Sequence, residues 1–166
     1  MITTFLHRFA WLAVLVAAQT FVFNHFHIAG YATPLPFVYL VLLFPMGTHR
    51  WVVMLWAFAC GLLSDMAANT PGMGAGAMTL AAFIQPTLVK LMAPKEAAED
   101  MQPSFKNLTF WVYVRYASIL TSAFCLAYFL LQAFNFFHAV DLLITLLSSW
   151  LLTLLLCLLI EGLRKN

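Results

Sequence analysis

Charge is the scarcest ingredient of this sequence. Eight Lys and Arg and six Asp and Glu are spread over 166 residues, 8% charged against 64% hydrophobic. Water-soluble domains carry about 25% charged residues, so that class is excluded at the outset. The net charge of +2 is too small to suggest a nucleic-acid partner. Cysteine is sparse as well. Cys60, Cys125 and Cys157 each sit inside an apolar run, and neither CxxC nor a Cys/His metal spacing occurs. That excludes a disulfide framework or a zinc knuckle and leaves small apolar helix residues. HExxH, GxSxG and an inward-facing acidic pair at midplane are missing too, so no catalytic residue is assigned and no enzyme is expected. No cofactor is implied. Glycine is rare and uneven: four of the seven lie between Cys60 and Gly76.

What the sequence has is long apolar runs, at a mean hydropathy of +0.93. The length gives room for about six spans of roughly 20 residues in a single membrane domain. An apolar run from about Phe9 to His27 follows Arg8, with Gln19 its one strongly polar interior residue. Bulky Asn24-His25-Phe26-His27 stands where a signal peptide would have small residues, which points to an uncleaved first helix. His25 and His27 are two apart and do not share a helix face, so they read as interfacial rather than as metal ligands. The turn Ala29 to Pro36 carries Pro34 and Pro36, which bar an ordinary helix interior. Phe37 to Met46 is apolar but short, between Pro36 and Pro45, and reads as a thin or re-entrant second span.

Beyond Gly47-Thr48-His49-Arg50, helices are expected over about Trp51–Ala68, Gly74–Met92, Leu108–Gln132 and Val140–Glu161. Ala93 to Lys106 is the one substantial hydrophilic loop, and Pro94 and Pro103 bracket a stretch suited to a short surface helix. With the N-terminus in the cytoplasm, Arg8, Arg50, Lys90, Lys95, Lys106, Arg164 and Lys165 fall at inside ends or loops. The outside turns (about 24–36, 68–74 and 133–140) then hold no Lys or Arg, which predicts six spans with both termini inside. The expected fold is therefore an all-α integral membrane protein with six transmembrane helices.

The candidate residues cluster around Cys60 to Gly76. Ala57, Gly61, Ser64, Asp65 and Ala68 share one face of the third helix, and Gly74, Ala77, Ala81 and Gln85 form a matching stripe on the fourth. A charge at bilayer depth costs roughly 2.5–3.5 kcal/mol, so Asp65 needs a partner or an interface. About 22 Å of helix separates it from Arg50, which places it near the outer surface, where it can tie a helix hairpin around Asn69 and Thr70. Gly72 and Gly76 are spaced as GxxxG, but Pro71 puts them at a turn, so a dimer face there is a weak reading.

Arg115 lies about 12 Å into the fifth helix. It shares a face with Ser118, Ser122 and Cys125, while Asp141, Thr145, Ser148 and Ser149 stripe the sixth, with Asp141 placed as an N-cap. A polar pocket among helices three, five and six is one reading; snorkelling of Arg115 to the headgroups is the other.

Physics alone stops at this bundle. The Pro34-x-Pro36-Phe37 segment, the His49-Arg50-Trp51 turn, the G-x-x-x-D of Gly61 and Asp65, and Asn69-Thr70-Pro71-Gly72 come in an order and spacing that resembles the MreD family of rod shape-determining proteins. The resemblance is to the forms found in Bacteroidetes, and it covers essentially the whole chain. It implies a fold similar to the S component of energy-coupling-factor transporters. It also implies a non-enzymatic scaffold in the cytoplasmic membrane, supporting lateral peptidoglycan synthesis in the cell-elongation machinery. The implied partners are an MreC-like bitopic protein and, with it, MreB and RodA with its transpeptidase. Gly61, Asp65, Pro71, Gly72, Pro34 and Pro36 from these motifs, with Gly76, Gln85 and Arg115 from spacing and charge, are the candidate structural or partner-binding positions. The rival reading is a vitamin-binding S component of a transporter. It would call for polar residues in the outer half and an alanine-rich first helix, where only Ala10, Ala13, Ala17 and Ala18 occur.

Overall fold

A computed structural model describes residues 2–18, 34–70, 72–93, 101–105, 107–132 and 139–164. Within them the chain forms α1 (Ile2–Ala18), a 3-10 turn over Pro36–Val38 that runs into the one-turn α2 (Tyr39–Leu42), α3 (Arg50–Ala68), α4 (Met73–Met92), α5 (Phe110–Gln132) and α6 (Ala139–Arg164), with no strand among the described residues. The continuation of the first helix to His27, including Gln19, His25 and His27, lies outside the described residues. So do the turn up to Thr33, Pro71, the loop over 94–100 with its expected surface helix, Lys106, and the turn 133–138.

Four segments are long and apolar enough to cross a bilayer: α3, α4, α5 and Leu143–Arg164 of α6, at 19, 20, 23 and 22 residues. Their ends fall within a few residues of those read from hydropathy. α1 starts earlier than expected, at Ile2 rather than near Phe9. α6 starts at Ala139, so Asp141 lies inside its first turn rather than capping it.

The outward faces are apolar, as lipid requires. On α3 they carry Trp51, Leu55, Phe58, Leu62 and Met66, and on α6 Leu143, Leu147, Leu151, Leu155 and Leu159 at four-residue spacing. α4 is the centre of the bundle and packs against α2, α3 and α5, while α6 packs on α5 and the Pro36 turn.

The second apolar segment is not a span of membrane length. Only Pro36–Leu42 is helical, and every residue from Pro34 to Leu42 is buried inside the protein. It enters at mid-depth: the Leu35 N–H donates to Thr153 Oγ1 on α6 at 3.2 Å, about 16 Å from the Arg164 end of that helix. It leaves at the Arg50 end, where the Met46 N–H donates to the Met101 carbonyl at 3.1 Å. Rings hold it on both sides, Phe37 edge-on to Phe124 at 5.4 Å and Tyr39 beside Trp11 at 5.6 Å. Irregular backbone at membrane depth is tolerated only where protein encloses it, and here it is enclosed. Of the thin or re-entrant second span expected, the described part is a short buried turn of helix running from mid-depth to the Arg50 end; the chain leading into Pro34 lies outside the described residues.

Candidate functional site

The turn between α3 and α4 is built around Asp65, which is 3% exposed. α3 ends with Asn69 in the left-handed region at φ 55°, a conformation Asn tolerates better than most residues. That bend lets the N–H groups of both Asn69 and Thr70 reach the Asp65 carbonyl. Gly72 follows at φ 86°, the second left-handed position, and occupies the N-cap of α4. Having no side chain, it offers no cap of its own.

The cap comes instead from the previous helix. Asp65 Oδ1 accepts the Gly74 N–H at 2.8 Å and Oδ2 accepts the Ala75 N–H at 2.9 Å, and Thr70 Oγ1 donates to Oδ1 at 3.3 Å. These N–H groups are the second and third of α4, the pair an N-cap side chain normally serves. The carboxylate also sits where the positive end of the helix dipole favours it.

This geometry requires the helices to touch. A Cβ on Gly61 would stand 2.6 Å from Ala75 Cα and 2.7 Å from the Gly74 carbonyl oxygen. Those are backbone atoms that cannot turn aside. The stripes expected from spacing are the faces in contact: Ala57, Gly61, Ser64 and Asp65 on α3 are buried, as are Gly74, Ala77, Ala81 and Gln85 on α4.

The remaining expected residues do not join Asp65. Gly76 lies in the first turn of α4, donating its N–H to the Gly72 carbonyl at 3.0 Å. Pro34 and Pro36 are buried at the start of the short second segment, Pro36 opening its 3-10 turn. Arg115 is exposed at the far end of α5 beside Leu91, Met92 and Val112. It is therefore no part of a pocket among α3, α5 and α6, and its position suits the snorkelling alternative. Pro71 lies outside the described residues.

Gln85 works at the other end of the bundle. Pro45 cannot continue a helix, and Gln85 Nε2 donates to the carbonyl of Phe44 just before it, at 3.0 Å. Gln85→Leu keeps the volume and removes that donor. It is expected to cost about 1–2 kcal/mol in reversible unfolding from mixed SDS and maltoside micelles. A loss below about 0.5 kcal/mol would mean that water or a neighbour replaces the bond.

A second buried carboxylate escaped the sequence reading. Glu161, 3% exposed, accepts the Tyr39 hydroxyl on Oε2 at 2.5 Å and pairs with Arg164 at 3.5 Å. Arg164 donates in turn to Gln102 Oε1 at 2.8 Å. Glu161 ends a buried row, Ser149, Thr153, Cys157 and Glu161, which is the true inward stripe of α6. Of the expected Asp141, Thr145, Ser148 and Ser149 stripe, Asp141, Thr145 and Ser149 stand at the same four-residue spacing; Ser149 is buried in this row, while Thr145 and Ser148 are half-buried. The four-residue spacing was present in a helix otherwise nearly all leucine.

Chemically, both carboxylates are engaged as acceptors within their own chain, one at each end of the bundle. Among the described residues, no three His, Cys, Asp or Glu side chains converge as metal ligands would. No family model, curated protein or solved structure matches the chain.

Proposed function

We propose that the chain is a non-enzymatic membrane scaffold of the bacterial cell-elongation machinery, of the MreD kind. In this reading it spans the cytoplasmic membrane six times with both termini inside, with the short segment from Phe37 to Met46 as part of its second crossing, and takes a fold like that of a transporter S component. It would bind an MreC-like bitopic protein and, through that complex, MreB and RodA with its transpeptidase.

One observation carries the proposal. The motif residues Gly61 and Asp65, on which the resemblance partly rests, and Gln85 of the α4 stripe are turned inward and bonded or packed against their own chain. They hold helices at a fixed separation, as a scaffold needs. The same observation weighs against the vitamin-binding alternative, in which Asp65 would be a ligand contact: its two oxygens already accept three donors from the hairpin.

The test is affinity purification of the tagged protein from its native membrane in mild detergent, with mass spectrometry of what accompanies it. Recovery of an MreC-like protein with wall synthases is expected. Recovery of ATPase subunits with a tightly bound small molecule would overturn the scaffold reading in favour of the carrier.

A further inference from the structure

At the Arg50 end of the bundle, a groove of about 390 Å3 opens between the 46–50 turn and the last turns of α4. That volume lies within the roughly 300–1,000 Å3 typical of small-ligand sites. Its walls are Met46, Gly47, Thr48, His49, Arg50, Pro86 and Lys90. Arg50 and Lys90 face it, and no acid is among its described lining residues.

Arg50 is held in place rather than left to wander. Its Nη2 donates to Thr87 Oγ1 at 2.9 Å, and its guanidinium lies 5.2 Å from the centre of the Phe83 ring. One of its five N–H donors is thereby named, and the planar fork is pre-oriented for oxyanion recognition. Lys90, exposed in the last turn of α4, supplies a mobile second charge. α3 begins at Arg50 with no side-chain cap, so its first N–H groups present the positive end of a helix dipole to the same groove.

The height of the groove identifies its occupant. Trp51 and Trp111, 67% and 72% exposed at this end, mark the level where amphipathic rings meet lipid headgroups. Directly beside Arg50, Phe83 and Leu80 are exposed on α4, forming an apolar shoulder that runs toward the bilayer centre. A phosphate on an acyl chain matches both parts; a free phosphate matches only one.

We infer that this groove binds the phosphate of an anionic phospholipid, with Arg50 and Lys90 as its two charged contacts and the Phe83–Leu80 face receiving an acyl chain. Basic pockets between transmembrane helices take anionic headgroups by this chemistry. The inference needs only that these helices span a bilayer, and it stands or falls independently of the elongation reading.

The experiment is native mass spectrometry of the detergent-purified full chain, titrated separately with phosphatidylglycerol, phosphatidylcholine and inorganic phosphate. The wild type should retain phosphatidylglycerol in preference to phosphatidylcholine. Arg50→Gln and Lys90→Gln should each weaken that retention about fivefold. Lys90→Gln breaks no bond described in the bundle, so a misfolding effect of the Arg50 change cannot carry the result alone. Arg115→Gln, which removes an exposed basic residue of α5 outside the groove, should leave retention unchanged. Equal retention of the two lipids, an Arg115 effect as large as that of Lys90, or inorganic phosphate displacing the lipid at equal concentration would each overturn the proposal.

Discussion

Asp65→Ala is expected to produce a large loss of stability, about 3–5 kcal/mol when several buried donors lose one acceptor together. The substitution strips the Gly74 and Ala75 N–H groups and the Thr70 hydroxyl of their shared partner. At this end of the pair no local side chain replaces it, because Gly72 holds the N-cap position. Asp65→Asn is the informative companion. It keeps one carbonyl acceptor and the volume but removes the charge that complements the α4 dipole, so it should fall between wild type and alanine. Equilibrium unfolding in mixed micelles, followed by far-UV circular dichroism, reads both. An alanine variant within about 1 kcal/mol of wild type would show that the carboxylate is not what holds the hairpin.

Gly61→Ala should cost about 2–3 kcal/mol, although it adds a single methyl group to a helix and alanine is the better helix former. The reason is contact with backbone: the new Cβ meets Ala75 Cα at 2.6 Å, and only a shift of one whole helix relieves it. Such a shift draws Asp65 away from the α4 amides. The two substitutions therefore share one mechanism, and the double variant should lose clearly less than the sum of the single losses. Additive losses would mean that the helix contact and the cap are independent. A stabilised Gly61→Ala, as intrinsic propensity alone predicts, would contradict the close approach itself.

Both effects trace to features that were partly legible before any coordinates. Small residues at helical spacing on α3 and α4 announced a close contact, and a lone acid beside them announced that something must satisfy it. Hydropathy placed the ends of α3 to α5 within a few residues, because each is bounded by a turn or a loop rather than a gradual change. The partner of Asp65 was harder to read. Cap chemistry is ordinarily local, and here the acceptor stands nine and ten residues before the amides it serves, a relation only the folded hairpin creates.

The Arg50 end was least legible. Glu161 lies one turn from Arg164 and so reads as an ordinary interfacial charge; its burial depends on Tyr39, which sits on a segment too short to pattern. The buried row on α6 mixes Ser, Thr, Cys and Glu, so no single residue class flags it; the polar residues from Asp141 to Ser149 pointed along its line, but its continuation through Thr153 and Cys157 to Glu161 went unread. Arg115 shows the converse. Its face holds serines and a cysteine as a polar seam would, yet the arginine points out of the bundle, since a long side chain near a helix end finds its solvation outside.

The short buried segment after Pro34 has one more consequence, for the order of assembly. Leu35 and Tyr39 reach Thr153 and Glu161 across 118 and 122 residues, so the polar anchors of an early stretch are supplied by a helix that follows it only after three others. Until α6 arrives, the Pro34–Phe44 stretch has neither the length to cross the bilayer nor these partners for its polar groups.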